Sequence, residues 1–202
     1  LLNLETFSQY IRYLEHNKAE EFSEFINAIT TNLTSFFREP HHFQFLKDTL
    51  LPIMKTNHVT DKRVRIWSAG CSTGMEPYSI AMTLFDCFPP SWDVKILATD
   101  LNTKVLDTAM KGIYRAENIT GVDETMLSTF FQQDATRERY RVKPALQRDI
   151  RFKPLNLLSH WPMKGPFDVI FCRNVVIYFD LKTKNQLFDR FAEMLRRSEE
   201  HT

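Results

Sequence analysis

The stretch Val64–Leu84, VRIWSAGCSTGMEPYSIAMTL, decides how the rest of the chain is read. Val64 to Trp67 form an apolar run suited to a buried strand. Ser68 to Gly74 are all small, which lets a ligand approach the backbone. Pro77 falls in a first helical turn, where its missing N–H would be unpaired anyway. Ile80, Ala81 and Leu84 then share one helical face. A strand, a glycine-bearing loop and a helix in this order is the nucleotide-binding element of doubly wound α/β folds.

The loop spaces Gly70 and Gly74 as GxxxG. It is neither the dinucleotide G-x-G-x-x-G nor a lysine-bearing phosphate loop. Glu76 adds negative charge where a phosphate would need positive help. It can be a first-turn carboxylate favouring the helix dipole, or it can serve a cationic ligand. S-adenosylmethionine carries a sulfonium, an amino group and a ribose, and no phosphate.

Outward from this segment, strand and helix alternate. Val94 to Ala98 reads as a second strand ending at Asp100, where an acid accepts hydrogen bonds from ribose hydroxyls. Asn102 is a good N-cap for the helix carrying Val105, Leu106 and Ala109. Residues 121–131 read as a helix capped by Asp123. Tyr140–Lys143 and Asp149–Lys153 read as short strands flanking Pro144-Ala145, in a small antiparallel excursion. Phe167–Cys172 is a third buried strand, and Asp180 caps a last helix with Leu187, Phe188, Phe191 and Leu195. Upstream, residues 4–16 and a repeat through Phe22, Phe25, Ile26, Ile29 and Leu33 are amphipathic helices. Thr30–Ser35 breaks the pattern. Pro40 opens a third helix ending near Asn57. Such alternation implies a parallel sheet covered by helices on both faces.

The chain has 202 residues, 43% of them hydrophobic, enough for one well-buried domain and a small appendage. A net charge of +1 argues against a broad nucleic-acid or membrane-surface footprint. Three cysteines without metal-ligand spacing read as reduced thiols of a cytosolic protein. No run approaches the ~20 apolar residues that span a bilayer. Leu1 already lies inside a helical pattern, and residues 197–202 read as a non-native tail. The chain is therefore expected to be a fragment.

Arg38, in the Phe36–Pro40 run, can clamp a carboxylate or simply pack with its head group in water. His41 and His42 read as solvated, and no metal is expected. Asn156, Asn174 and Tyr178 are polar residues at strand ends, where sheet topology puts the ligand crevice.

Five segments together resemble the chemotaxis receptor methyltransferases, the CheR family. They are TTNLTSFFREPHHF (Thr30–Phe43), RIWSAGCSTGMEPYSIA (Arg65–Ala81), ATDLNTKVLDTAMKGIY (Ala98–Tyr114), FKPLNLL (Phe152–Leu158) and FDVIFCRNVVIYFD (Phe167–Asp180). The resemblance covers roughly residues 20–196. It implies an α/β fold with a Rossmann-like class I methyltransferase sheet. Residues 1–35 would be the remnant of a helical domain with its linker. Residues 36–196 would bind S-adenosylmethionine, with a β-subdomain inserted at about 114–151. The activity implied is methyl transfer to glutamates of methyl-accepting chemotaxis receptors in the cytoplasm by a monomer, leaving S-adenosylhomocysteine, without nucleic-acid binding or membrane insertion. The runner-up reading is a non-catalytic S-adenosylmethionine-binding signalling module.

Carried over by position, Asn32, Thr34 and Arg38 would contact the cofactor or shape its methyl end. Glu76, with Gly70 beside it, would face the methionine part and Asp100 would hold the ribose. Asn156 and Leu157 would flank the adenine. Arg173, Asn174 and Tyr178 would line the floor near the reacting centre, with Arg38 and Tyr178 as the catalytic pair. Met75 stands where relatives keep a first acid. The stretch Gln132–Arg141 lacks the glycine-bearing loop of members that tether to a receptor peptide, so tethering is not expected. The family's basic N-terminal helix and terminal sheet strands are expected to be missing.

Overall fold

A computed structural model describes residues 6–196. The expectations for residues 1–5 and for the tail at 197–202 lie outside the described residues. Helices α1 (Phe7–His16) and α2 (Lys18–Ile29) form a hairpin. The helix α1 starts at a capping box in which the Thr6 hydroxyl accepts from the Gln9 N–H. At Thr30 the backbone turns extended, ending α2 where the polar β-branched run begins.

Next come α3 (His41–Phe45), a π-helical turn (Leu46–Leu50) and α4 (Leu51–Asn57). Pro52 explains the π-turn. It has no N–H for the carbonyl four residues back and its ring crowds that carbonyl, so the wider turn absorbs the misfit.

The alternating part contains β1 (Arg63–Ala69), α5 (Met75–Leu84), β2 (Asp93–Asp100) and α6 (Thr103–Lys111). It continues through β3 (Ile113–Arg115), α7 (Glu124–Phe130), β4 (Phe131–Gln133), β5 (Arg139–Val142) and α8 (Pro144–Gln147). It closes with β6 (Ile150–Pro154), β7 (Val169–Phe171) and α9 (Leu181–Met194). The three anticipated caps form. Asn102 accepts from the Lys104 and Val105 N–H groups, Asp123 from Met126, and Asp180 from Thr183.

Four strands pair in parallel in the order β6-β2-β1-β7. Their carboxyl ends are level: Ala69 faces Thr99, and Asp100 faces Pro154. A second, antiparallel sheet has the order β3-β5-β4. Here the sequence reading needs correction. Only Tyr140–Val142 of the two anticipated short strands joins the antiparallel sheet. Ile150–Pro154 runs parallel to β2 at the edge of the main sheet, and Pro144–Gln147 between them is a helical turn. Pairing partners, not local composition, decide this, because Ile150 and Phe152 lie opposite Ile96 and Ala98.

The main sheet buries both faces. Ile66, Ile96, Ala98, Ile150 and Phe171 pack on one side with α3 to α5 and the small sheet. Trp67 and Ala69 point to the other side, against Leu157, Trp161, Leu187 and Phe191. Each fully buried side chain of this size contributes about 1.5–3 kcal/mol. Leu187 and Phe191 therefore fasten α9, while Phe188, at the edge of that buried face, stays half exposed.

Candidate functional site

The level strand ends open onto a cavity of about 460 Å³. Its base is the loop after β1. The Gly70 and Cys71 N–H groups both donate to the Thr99 carbonyl, at 2.8 and 2.9 Å, which ties the loop to the end of β2. Gly70 has φ +90°, and a Cβ there would lie 2.3 Å from Val175 Cγ2. Glycine at 70 thus admits the chain after β7 as well as leaving backbone at the cavity wall.

Asp100 ends β2. Its Oδ2 accepts from the Ser72 N–H at 2.7 Å and its Oδ1 from the Asn102 N–H at 2.9 Å. Burial raises its pKa above the ordinary carboxylate value, opposed by those backbone donors. A rigid carboxylate with lone pairs to spare is thereby presented to the cavity.

The extended segment after α2 roofs the site. Asn32, Thr34 and Arg38 all line the cavity. The Ser72 hydroxyl donates to the Asn32 carbonyl at 2.9 Å, and Arg38 Nη1 donates to the Leu33 carbonyl at 2.9 Å. Asn102 Nδ2 holds Thr30 Oγ1 at 2.7 Å. Residues on both sides of position 35 therefore wall the same cavity. Asn156 and Leu157 close the end beyond β6, Asn156 exposed and Leu157 buried. Tyr178 sits at the mouth, 64% exposed.

At the β7 end, Glu76, Arg173 and Asn174 line the cavity with Glu39 behind them. Glu76 is almost buried and accepts from Ser68 Oγ at 2.7 Å and from Arg173 Nη1 at 3.2 Å. Burial raises its pKa despite those partners. Glu76 is thus not the isolated acid that the sequence implied, because Arg173 already neutralises part of its charge. Arg173 also reaches the Arg38 carbonyl and Glu39 Oε2, the latter at 3.2 Å, and lies over the Phe43 ring.

All eleven residues singled out from the sequence line this one cavity. Glu39 and Ser72 were missed. The signal for Ser72 was its place in the small-residue loop; Glu39 had none beyond its neighbour Arg38. Glu39, His41 and His42 bring one ligand atom each within 4.8 Å of one another. The Glu39 carboxylate is already taken up by Arg173 and Asn174, which leaves a metal little to bind.

A parallel sheet with an acid closing β2, a lysine-free glycine loop and one cavity across four strand ends defines a Rossmann-like S-adenosylmethionine-dependent methyltransferase domain. The donor Nε of Arg173, buried and without a partner among the described residues, fits a site built for a ligand with an anionic group. The chain belongs to the CheR methyltransferase family. The family profile "CheR methyltransferase, SAM binding domain" matches residues 32–199. The probable chemotaxis protein methyltransferase of Rhizobium etli is 44% identical over 85% of this chain and 66% of its own length. The chemotaxis protein methyltransferase of Escherichia coli K12 is 42% identical over 96% and 68%. Chemotaxis protein methyltransferase 2 of Pseudomonas aeruginosa is 40% identical over 97% and 70%. The chain thus spans about two thirds of the length of these relatives. Among the described residues no helix is long and apolar enough to cross a membrane.

Proposed function

We propose that this chain transfers the methyl group of S-adenosylmethionine to glutamate side chains of chemotaxis receptors. The observation that carries the reading is the order of polar residues along the sheet edge. Asn156 and Leu157 lie beyond β6, Asp100 ends β2, Gly70 follows β1, and Arg173 and Asn174 follow β7. An adenine, a ribose and an amino-acid end laid along that edge would meet these residues in that order. Asn32 and Thr34 would cover the cofactor from the roof, and Glu76 would face its ammonium.

When bound, S-adenosylmethionine supplies an electrophilic methyl on a sulfonium. With Asp100 and Glu76 holding the cofactor, a receptor carboxylate would accept that methyl, O–CH₃ forming as C–S breaks and the electron pair staying on sulfur. That carboxylate is ionised at neutral pH, with an ordinary pKa of about 4.3, so no general base is needed. The protein's part is alignment and exclusion of water. Orientation of this kind is worth effective molarities of about 10⁵–10⁸ M. Arg38 at the cavity wall orients the incoming carboxylate, and Tyr178 at the mouth turns its hydroxyl toward the reacting centre. The enzyme acts in the cytoplasm as a monomer, and the division into residues 1–35 and 36–196 belongs to the same reading.

Transfer of labelled methyl groups to receptor cytoplasmic fragments tests this. Arg38→Ala should lower kcat at least about 100-fold while the protein still melts cooperatively and binds S-adenosylhomocysteine. Full activity in that variant, or no transfer by the unaltered protein, refutes the assignment.

A further inference from the structure

Glu39 lies outside the cavity lining yet is tied to two residues that form it, Arg173 and Asn174. Its backbone is left-handed, at φ +55°, a conformation that costs a glutamate free energy and that surrounding contacts must hold. Its Oε2 lies 3.2 Å from Arg173 Nη2, and its Oε1 accepts from Asn174 Nδ2 at 3.3 Å. Asn174 also has a left-handed backbone, at φ +57°. Two strained residues 135 positions apart thus meet through their side chains.

The object held between them is the Arg173 guanidinium, whose side chain is only 11% exposed. Its Nη1 serves Glu76 and its Nη2 serves Glu39 and the Arg38 carbonyl. Its Nε is buried and has no partner among the described residues. A guanidinium is a rigid planar fork, so fixing both Nη groups also fixes the direction of the Nε–H. Arg173 lines the cavity beside Glu76. A buried cation with one free donor, next to a buried carboxylate, is complementary to a zwitterionic α-amino acid.

We infer that Glu39 is a positioning residue for the amino-acid end of the cofactor, acting through Arg173. Opposed pulls from Glu39 and Glu76 keep the guanidinium between them. Without Glu39 the cation pairs with Glu76 alone, which turns the Nε–H away and uses up the carboxylate needed by the cofactor's ammonium. This rests on the proposed orientation of the cofactor, with its amino-acid end at β7.

Binding of two ligands separates this role from a merely structural one. S-adenosylhomocysteine carries the amino-acid end, and 5′-methylthioadenosine lacks it. Two variants are compared with the unaltered protein by calorimetry. Glu39→Gly removes the carboxylate and suits the left-handed backbone; Glu39→Gln keeps the shape and removes the charge. Losing one charge-assisted contact should weaken S-adenosylhomocysteine about tenfold in the glycine variant and about threefold in the glutamine variant. Affinity for 5′-methylthioadenosine should change less than about twofold in either. Equal losses for both ligands would mean that Glu39 only supports the wall, and unchanged affinity for both would mean it does nothing for binding; either outcome overturns the inference. No methyl transfer is measured, so the result stands apart from whether receptor glutamates are the substrate.

Discussion

Replacing Gly70 by alanine sets two costs against each other in a measurable way. The residue sits at φ +90°, where a Cβ strains the backbone by about 1–2 kcal/mol. The same Cβ would stand 2.3 Å from Val175 Cγ2, and overpacking of that kind adds about 1–3 kcal/mol. Gly70→Ala should therefore destabilise the fold by about 2–5 kcal/mol. Val175 is half-buried, so Val175→Ala alone should cost about 1 kcal/mol. In the double variant the clash disappears and only the backbone strain remains. The pair should be about 1–3 kcal/mol more stable than the sum of the single changes. Urea unfolding followed by tryptophan fluorescence reads this directly, because Trp67 and Trp161 are buried edge to face against one another. Additivity within about 0.5 kcal/mol would refute the idea that Gly70 makes room for the chain after β7.

Three further outcomes follow from the geometry. Burial raises the pKa of both Glu76 and Asp100, so each adds stability in acid that is lost as the pH rises through its raised value. Their ionised forms are therefore a cost in the empty cavity, and an ammonium and ribose hydroxyls would favour those forms. Binding of S-adenosylhomocysteine should then release protons in acid, and fewer as the pH rises; calorimetry in buffers of different ionisation enthalpy measures this, and no release in acid would count against both roles. Tyr178→Phe should leave stability within about 0.5 kcal/mol, because the side chain is mostly exposed, while lowering kcat; a kcat equal to that of the unaltered protein removes Tyr178 from the mechanism. His58, buried with Nδ1 2.7 Å from Asp61 and Nε2 2.6 Å from Asp168, clamps α4 to the amino end of β7. His58→Ala should cost about 3 kcal/mol, the low end for a broken buried pair, since Arg196 and the Arg65 N–H still serve Asp168. A loss below about 1 kcal/mol in urea unfolding would show that the clamp contributes little.

The parts of the fold visible in the sequence are those governed by neighbours in the chain. Asn102, Asp123 and Asp180 cap helices through contacts within three residues, so their spacing alone announces them. The strands β1 and β2 show as apolar runs because both faces are covered. The three-residue strands β3 and β4 exist only through pairing with β5, and Ile150–Pro154 looked like part of that excursion until β2 claimed it. The same divide runs through the site. Asp100 and Gly70 could be placed from strand ends. The ion pairs of Arg173 join residues 97 and 134 positions away, and nothing in the local pattern of Glu39 or Glu76 points to them. Glu76 read as a lone acid for that reason.

The hydrogen bonds from Ser72 to the Asn32 carbonyl and from Asn102 to Thr30 bear on how such proteins can be recombined. A chimera that swaps the amino-terminal helices between relatives at position 35 would cut through the roof of the cavity and pair one parent's Asn32 with the other's Ser72. Asn27 extends the tie further, since its carbonyl accepts from Asn102 and its side chain accepts from the Thr103 N–H. A crossover at Asn17, between α1 and α2, leaves these ties whole and cuts instead the contacts of Tyr10 with Glu21 and Phe25. A graft made there moves the second helix, the roof and the nucleotide fold together as one exchangeable unit.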